Sequence, residues 1–578
     1  MWNLENLYKS TNDLKIEKDK KQIKSKASLF VKKYKGKISS ADSVFLLSAL
    51  NELEIIKSSM SKLVGYAYLI HSTMSNNEAI SSFYQSIKEF GVEIANQTIW
   101  FNLEIQKIDD RKINNIIDDS RFKKYSHYLK EILNIKPYVL DEEKELLISK
   151  KNQSGVEAFV RLYGEFSTRE LYNGKTHSEI SAIYAKDPNR NKRKEAGQII
   201  ADTLKNTSNV YSYILNTLLL DKKISDEIRG FKYPEQSTFI EYEVTDEIVK
   251  AMSDAIFENN AVSEKFYLAK SKLLKTKLFE WDRYNDIYKM GKNKVSWEET
   301  KVSVLNAFKK FSPTFYDIAL RFFENNWIDY EVKKGKRGGA YCAYVSNTVH
   351  PYVFMNFTGE PSDAGTLAHE LGHAIHGVLS KDQSEFEYRP STATAEIASV
   401  FAEALMFDDI YKKAKNKKEK INLLGARLQN TFATVFRQNA FYLFEKELHK
   451  FRRTKGELSV DDINNLYQIN LSPMFGKGLT LTDNHKLMWA KISHFYNYNF
   501  YVFTYSFGEL LAQSLYAKYK KDGSGFTKKY IKALSLGGSK SPLEITKAMG
   551  LDITKKSFWQ DGLNLIKEEV DEFEKLIM

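Results

Sequence analysis

The sequence has little cysteine, proline or glycine, and it has no long apolar run. Its single cysteine, Cys342, excludes an intramolecular disulfide and a cluster of thiolate metal ligands. Proline and glycine interrupt regular structure, so only 9 prolines and 27 glycines in 578 residues favour helix. No segment approaches the roughly 18 apolar residues of a membrane span, and the N-terminus lacks the apolar core of a signal peptide. We therefore predict a soluble, cytoplasmic protein that has no membrane partner.

Positive charge exceeds negative charge, but it is not concentrated in one place. Lysine and arginine number 86 against 74 acidic residues, which gives a formal net charge of +12. Most lysines are interleaved with acidic residues, and no basic block accompanies a nucleic-acid-binding motif. The sequence thus predicts a solvated, lysine-rich surface and no nucleic-acid partner.

Apolar residues recur at helical spacing along most of the chain. Leu46, Leu50 and Leu53 illustrate this spacing. The exception is 328–359, where three runs rich in β-formers surround a Gly- and Lys-rich turn. We therefore predict a mostly α-helical protein with a small β-sheet. The helical segments are 40–180, 187–225, 245–325, 394–450 and 525–578.

The chain is longer than one ordinary domain. At 578 residues and 66.9 kDa, two or more lobes are expected. A charged segment near 180–190 is the best candidate for a boundary. It predicts an N-terminal helical lobe over 1–185 and a second domain over 186–578.

A highly specific motif follows the β-rich region. His369, Glu370 and His373 form the pattern H-E-x-x-H. In a chain with 10 histidines, about 0.01 matches to this pattern are expected by chance. Positions i and i+4 share one face of a helix, so both imidazoles can reach one metal ion. Glu370 is offset from them and can accept a proton from a water molecule. The motif predicts a catalytic zinc ion in the second domain, with Glu370 as the general base.

The residues around the motif also predict a helix. Ser362 or Asp363 can cap its first turn. An apolar stripe at intervals of four residues would face the core, and it consists of Leu367, Leu371, Ile375 and Leu379. His376 lies seven residues after His369, roughly 10 Å along the helix axis, so we expect it to pack and not to bind the metal.

A catalytic zinc ion requires a third protein ligand. Helical periodicity resumes after Pro390, and Glu396 and Glu403 on this segment are seven residues apart, so both face the same way. Spacing favours Glu396 as the ligand, and the other glutamate would orient a ligating histidine. Glu385 and Glu387 lie in a less regular stretch and are weaker candidates.

A second group of polar aromatic residues lies further along the chain. His494, Tyr498, Tyr501 and Tyr505 follow the spacing i, i+4, i+7, i+11, which predicts one continuous face of a helix. An aromatic stripe of this kind usually belongs to a core. Imidazole and phenol groups can also donate hydrogen bonds to the oxyanion formed in amide hydrolysis. The pattern alone leaves both interpretations open.

Motifs spread over nearly the whole chain carry a family resemblance. They are WNLENLY at the N-terminus, GGAYC at 338–342, NFTG at 356–359, TLAHELGHAIH at 366–376, TAEIASVFAEA at 394–404 and HFYNYNFYVFTYSFG at 494–508. Together they resemble the oligoendopeptidase F group of the thimet oligopeptidase family of zinc peptidases. The resemblance implies a mostly helical, two-lobed zincin-type body enclosing a deep channel, with the zinc ion on its floor. Such a channel would admit short unstructured peptides and exclude folded proteins.

The resemblance also implies roles for individual residues. The zinc ligands would be His369, His373 and Glu396. His494 would stabilise the tetrahedral intermediate together with a tyrosine, of which Tyr505 is the first choice and Tyr498 the second. Ser493 and Asn499 stand where relatives often have proline, which affects the expected shape of the loop and not the chemistry.

Other residues would contact the peptide substrate. The Gly338–Gly339 turn and the strand formed by Ala340, Tyr341 and Cys342 would present backbone groups in β fashion. Tyr501 would be a further substrate contact.

The sequence leaves two alternatives to a zinc endopeptidase. A metallocarboxypeptidase can also be helical and carry H-E-x-x-H, but it needs a cationic residue to hold the terminal carboxylate of its substrate. A peptide-binding protein with a vestigial site is the other alternative, and the intact set of His and Glu residues argues against it. The oligomeric state stays open.

Overall fold

A computed structural model describes residues 2–285, 287–288 and 294–578. Helices form most of this part of the chain, which confirms the prediction of a mostly α fold. They are α1 (Leu14–Tyr34), α2 (Ser43–Thr73), α3 (Glu78–Thr98), α4 (Trp100–Gln106), α5 (Asp110–Asp118), α6 (Ser126–Ile135), α7 (Glu142–Asn152), α8 (Val156–Arg169), α9 (His177–Lys186), α10 (Arg190–Arg229), α11 (Gln236–Glu241), α12 (Asp246–Glu258), α13 (Asn260–Leu274), α14 (Trp297–Phe311), α15 (Pro313–Glu324), α16 (Ser362–Leu379), α17 (Thr392–Lys413), α18 (Lys417–Thr431), α19 (Arg437–Thr454), α20 (Val460–Leu471), α21 (His494–Asn497), α22 (Phe503–Asp522), α23 (Ser524–Leu534), α24 (Pro542–Ala548) and α25 (Lys556–Ile577).

The predicted helical segment 245–325 is interrupted. It contains α12 to α15, but the described residues between 275 and 296 form short turns and one 3₁₀ helix. The parts of this prediction at 286 and 289–293 lie outside the described residues. None of the described helices is long and apolar enough to cross a membrane.

Two compact units divide the chain, and each combines three separate stretches. The first unit consists of Met1–Pro137, Lys292–Ile410 and Lys518–Leu551. The second unit consists of Tyr138–Gly291, Tyr411–Ala517 and Asp552–Met578. The sequence-based division at 185/186 falls inside the first stretch of the second unit, and it stays a prediction.

Side-chain caps account for where many helices begin. Thr176 and Glu179 at the start of α9 bond each other's backbone N–H groups, which satisfies two otherwise free donors. Ser541 and Glu544 do the same at α24, where Pro542 occupies the first turn. Such caps need only short local patterns of sequence.

The described residues form one small sheet, and it lies in the first unit. The strands are β1 (Ile328–Glu331), β2 (Tyr341–Ala343) and β3 (Tyr352–Phe357). Their order is β1-β3-β2, with β1 parallel and β2 antiparallel to β3. All three β-rich runs predicted within 328–359 are therefore confirmed.

The N-terminal motif packs on this sheet. The ring of Trp2 lies 6.0 Å from that of Tyr352 and 5.7 Å from that of Phe354, and its backbone N–H donates to Asp329 Oδ2. Asp329 also accepts from the buried ammonium group of Lys336, which donates in addition to the backbone carbonyl of Met355. These contacts fix the chain before β2, so the glycine turn at 338–339 starts from a rigid point.

Helices α16 and α17 approach each other at a glycine. A Cβ atom on Gly372 would lie 2.5 Å from the carbonyl oxygen of Ala398 and 2.6 Å from the Cα of Ser399, and neither backbone atom can move independently of α17. Only glycine therefore permits this separation of the two helices.

Replacing Gly372 by alanine should separate α16 from α17. We expect Gly372→Ala to lower the free energy of unfolding by about 1–3 kcal/mol, because the added methyl group overpacks a backbone contact. Denaturant unfolding measures this difference. Gly365→Ala on the same helix is the matched control, since its Cβ would meet only Glu403 Cγ at 3.9 Å. The control should be neutral or stabilising by up to about 1 kcal/mol, and equal losses in both variants would contradict the close-packing account.

Candidate metal centre

Helix α16 carries the H-E-x-x-H motif, and its start differs from the predicted cap. Pro361 occupies the N-cap position and makes no side-chain capping bond. Asp363 instead accepts hydrogen bonds from the backbone N–H groups of Thr358, Gly359 and Glu360. The carboxylate thus ties the end of β3 to the helix. Three members of the predicted apolar stripe, Leu367, Leu371 and Ile375, are fully buried, and the fourth, Leu379, is partly exposed.

The structure brings two histidines and one glutamate together on the polar side of α16. Glu396 Oε2, from the first turns of α17, lies 3.3 Å from His369 Nε2 and 3.4 Å from His373 Nε2. The donor atoms of these residues all lie within 4.8 Å of one another. This is the set of three that spacing favoured.

These distances fit a tetrahedral zinc ion. With zinc–ligand bonds of 2.0–2.1 Å, two ligand atoms of a tetrahedral site lie about 3.3–3.4 Å apart. Two imidazole nitrogens and one carboxylate oxygen are also a donor set that catalytic zinc sites use, with the fourth position left for water or substrate. The residues present therefore fit the metal.

Neighbouring side chains orient the three donors. Glu403 Oε2 lies 3.4 Å from His369 Nδ1, which leaves Nε2 to face Glu396. The hydroxyl group of Ser399 donates to Glu396 Oε2 at 2.6 Å. The hydroxyl group of Tyr344 donates to the backbone carbonyl of His373 at 2.7 Å. Partners of this kind hold ligating side chains in one orientation.

The Glu396 carboxylate acts on the pKa values of both neighbouring histidines, His369 and His373. Burial opposes protonation of His369, but the contacts with Glu396 and Glu403 outweigh burial and raise its pKa to about 10. Burial lowers the pKa of His373 to about 4. Burial would raise the pKa of Glu396, but the hydrogen bond from His369 and the nearby charges lower it to about 2. A cation would displace the proton that His369 retains, since metal ligands bind in their deprotonated forms.

Glu370 lines the same cavity as the three donors and has one carboxylate oxygen that makes no hydrogen bond to the described residues. It is 6% exposed, and its Oε2 atom is buried without a hydrogen-bond partner in the part of the chain that the structure describes. Burial, opposed by the charge on His369, raises the pKa of Glu370 to about 7. A carboxyl group with a pKa near neutrality is suited to accept and return a proton.

His376 lies outside the group of donors. It is 2% exposed, and burial lowers its pKa to about 3, so the imidazole is neutral. Its position agrees with the predicted packing role.

Three of the six predicted substrate contacts line a cavity of about 450 Å³ together with the donors, whereas Gly338, Gly339 and Tyr501 do not line it. Ala340, Tyr341 and Cys342 form one wall, and α16 and α17 form another. Gly339 adopts a left-handed backbone with φ +86°, and a Cβ atom on Gly338 or Gly339 would meet nothing within 4 Å. Burial raises the pKa of the Cys342 thiol, which favours its neutral form.

Four cavity residues were missed from the sequence, namely Tyr344, Arg389, Pro390 and Ala395. Tyr344 and Arg389 both line the cavity, and Arg389 donates to the backbone carbonyls of Tyr344 and Val345 at 2.9 Å. Period-two alternation from β2 would have placed Tyr344 on the same side as Cys342. No comparable local signal marked Arg389, because its role depends on the fold of the 380–391 segment.

The predicted continuous helix over the polar aromatic residues is wrong. His494 lies in α21, which ends at Asn497, and Tyr505 lies in α22, which begins at Phe503. Between them Phe500 has a left-handed backbone with φ +56°. The two side chains nevertheless meet, with 3.1 Å between His494 Nε2 and the Tyr505 hydroxyl oxygen.

Long-range hydrogen bonds cause the break. The backbone N–H of Phe500 donates to the buried carboxyl group of Glu445 on α19. The hydroxyl group of Thr238 donates to the carbonyl oxygen of Asn499. Each bond satisfies a backbone group that a continuous helix would have used internally. All these residues belong to the second unit.

Exposure argues against a core role for this aromatic group. The side chains of Tyr498 and Tyr505 are 61% and 37% exposed, and the Tyr501 ring packs 5.4 Å from that of Tyr505. Burial, with the nearby Tyr501, raises the pKa of Tyr505, while burial and the Arg437 charge lower that of His494. Tyr505 therefore stays a protonated donor, and His494 stays a neutral imidazole.

Comparison with known proteins gives the family. The model of peptidase family M3 matches residues 183–565, and the model described as oligopeptidase F matches residues 104–169. The chain belongs to peptidase family M3. This membership makes it a metalloendopeptidase of the oligoendopeptidase F type, and it confirms the resemblance predicted from the motifs.

Individual family M3 relatives are distant but match over most of their length. Oligopeptidase PepF of Bacillus subtilis is 26% identical over 100% of this chain and 87% of that protein. The oligoendopeptidase F homolog of Borreliella burgdorferi is 26% identical over 91% and 90% of the two chains.

Solved structures share the fold. A crystal structure from Chlamydophila abortus has a TM-score of 0.89 at 23% identity, covering 100% of this chain and 98% of that chain. The oligoendopeptidase-F structure from Enterococcus faecium has a TM-score of 0.70 at 19% identity, covering 97% and 99%.

Proposed function

We propose that this M3 peptidase hydrolyses short unstructured peptides with one catalytic zinc ion, held by His369, His373 and Glu396. The observation that carries the proposal is the spacing of 3.3 and 3.4 Å between the Glu396 carboxylate and the two imidazoles, beside the unpartnered oxygen of Glu370. Family membership supports it independently.

Each protein group then has a defined task. Zinc, when bound, supplies a water molecule of lowered pKa and polarises the scissile carbonyl. Glu370 accepts the proton of the attacking water and later passes it to the leaving amine. Glu403 keeps His369 in the orientation that directs Nε2 toward the metal. No covalent intermediate with the protein is required, so Cys342 is not a nucleophile.

The substrate backbone would pair with β2. Among the described residues β2 pairs only with β3, so its second edge has no strand partner. An extended peptide can add to such an edge through main-chain hydrogen bonds. The glycine turn at 338–339 leaves room for the peptide, because neither glycine projects a side chain there.

Hydrolysis of internally quenched peptides tests the proposed function. The zinc-loaded protein should cleave them, a chelator should abolish cleavage, and added zinc should restore it. Mass spectrometry of the products from a library of mixed lengths, with free and amidated C-termini, identifies the bonds cut. Internal cleavage of amidated peptides is expected of an endopeptidase. Release of single C-terminal residues from free-ended peptides alone would show a carboxypeptidase.

We also propose that His494 and Tyr505 donate hydrogen bonds to the oxyanion in the transition state, with Tyr498 and Tyr501 nearby. The family resemblance, the His494–Tyr505 contact and the exposure of Tyr505 support this role. Removal of one such donor costs about 10²–10³-fold in kcat. Tyr505→Phe should therefore lower kcat by about this factor, with little change in KM or zinc content, and His494→Ala should behave similarly.

Tyr213→Phe is the control for the tyrosine change, since this side chain in α10 is 60% exposed and has no proposed role. A purely structural role predicts a different result, in which Tyr505→Phe keeps its kcat and His494→Ala lowers the melting temperature instead. Kinetics and melting curves measured on the same preparations separate these outcomes.

A further inference from the structure

A second and larger cavity lies in the first unit beside β2. Its volume is about 1050 Å³, and its walls come from α2, α3, α4, α6 and the segments 343–345 and 385–389. The volume is at the upper end of the range for pockets that hold drug-sized ligands. It is therefore large enough for more than one amino-acid side chain.

The lining of this cavity is mostly apolar and partly open to solvent. Ile99 and Leu103 at the start of α4 are 67% and 46% exposed, although both are large apolar side chains. Met60, Ile94 and Phe386 add further apolar surface. Apolar side chains held around a concave, solvent-accessible space are typical of a binding site.

The larger cavity adjoins the metal cavity. Tyr344 and Arg389 line both cavities. Strand β2 borders both cavities, because Cys342 lines the metal cavity and Ala343 lines the larger one. Tyr341 lines the metal cavity as well, and its ring packs 5.3 Å from that of Tyr68 on α2, which lines the larger cavity.

A peptide paired with the free edge of β2 would therefore face both cavities. Side chains alternate between the two faces of an extended strand. Every second side chain of the peptide would point toward the metal side, and those between would point toward the larger cavity.

We propose that the larger cavity binds large apolar side chains of the peptide substrate. These side chains would occupy every second position, counted from the scissile bond. This inference rests on the proposed peptidase function and adds a substrate preference to it. The cavity would then favour peptides that carry Leu, Phe or Met at these alternate positions over peptides that carry Ala or Ser.

Filling the cavity tests the proposal. Ala95 on α3 lines the cavity and is exposed, so Ala95→Trp adds bulk there with little effect on folding. The substrates are quenched peptides of Ala and Ser in which one Leu or Phe is moved through each position. Wild type should prefer the apolar residue by about 10–100-fold in kcat/KM at positions two apart, as expected from burying such a side chain. Ala95→Trp should reduce this ratio at least about tenfold at the same positions.

Two further variants test whether a change in substrate preference comes from the cavity itself or from any substitution in this part of the protein. Val92→Trp places the same side chain on the same helix, but Val92 is 60% exposed and outside the cavity lining. It should keep the wild-type preference. Ile99→Asn removes apolar lining at an exposed position and should lower the preference without filling space. A preference unchanged in both Ala95→Trp and Ile99→Asn, or lost equally in Val92→Trp, would overturn the inference.

Failure of the proposed function gives a different pattern. If zinc-loaded wild type cleaves none of the peptides, the peptidase proposal fails. Binding of the same peptides, labelled with a fluorophore, to zinc-loaded Glu370→Gln protein then measures the cavity alone by anisotropy. Tighter binding of the Leu peptides, weakened by Ala95→Trp, supports the cavity site, and equal binding of Leu and Ala peptides contradicts it.

Discussion

Glu370→Gln should retain zinc and lower kcat by about 10²–10⁴-fold, because a positioned general base contributes this much to a proton-transfer step. The amide has nearly the size of the carboxyl group, so the buried site keeps its packing. The amide of the variant, unlike the carboxylate, cannot accept a proton from water at neutral pH. Metal analysis and peptide hydrolysis on the same sample measure both quantities.

Glu360→Gln is the matched control for this change. Glu360 is an exposed carboxylate just before α16, so the same substitution there should leave both zinc content and kcat near wild type. A zinc-loaded Glu370→Gln protein with wild-type kcat would show that another group accepts the proton. Loss of zinc from this variant would instead move Glu370 into the metal-binding set.

The two glutamates of α17 should differ strongly in their effect on zinc. Glu403→Ala should weaken zinc affinity by about 10–100-fold, the usual effect of removing a residue that orients a ligand. Glu396→Ala removes a donor atom that lies within 3.4 Å of both imidazoles, so we expect a considerably larger loss and little bound zinc after dialysis. Competition with a chelator of known affinity measures both.

Asp408→Ala, on the same helix but outside the site, controls for changes in α17 itself. It should bind zinc as the wild-type protein does. If Glu403→Ala lost more zinc than Glu396→Ala, the two roles would have to be exchanged, and the 3.4 Å contact between Glu403 and His369 Nδ1 would become the ligand contact.

The grouping of His369, His373 and Glu396 was predictable from sequence because its pattern is local. His369 and His373 are one helical turn apart, and Glu396 and Glu403 are two turns apart, so each pair faces one way in any intact helix. The β-rich runs before α16 were recognisable for the same reason. Sequence spacing favoured Glu396 over Glu403, and in the structure Glu396 contacts both imidazoles whereas Glu403 contacts only His369 Nδ1.

The loop between α21 and α22 was not predictable, because distant residues determine it. Spacing favoured a helix through 494–505, and nothing local opposes one. The helix is broken by Glu445 and Thr238, which are 55 and 261 residues away from their bonding partners in sequence. The position of Arg389 in the cavity wall was not predictable for the same reason. Arg389 lies in an irregular segment, and the path of this segment depends on the sheet.

The interleaving of the two units has a consequence for synthesis on the ribosome. The first unit needs residues up to 551, and the second needs residues up to 578, so neither is complete while most of the chain is being made. The N-terminal 137 residues would leave the ribosome before β1 to β3 and α16, which belong to the same unit, have been synthesised. Their apolar surfaces would stay exposed until those elements are available for packing. Chains with such exposed intermediates depend on chaperones. A fragment that stops at any internal boundary would leave at least one unit without part of its core.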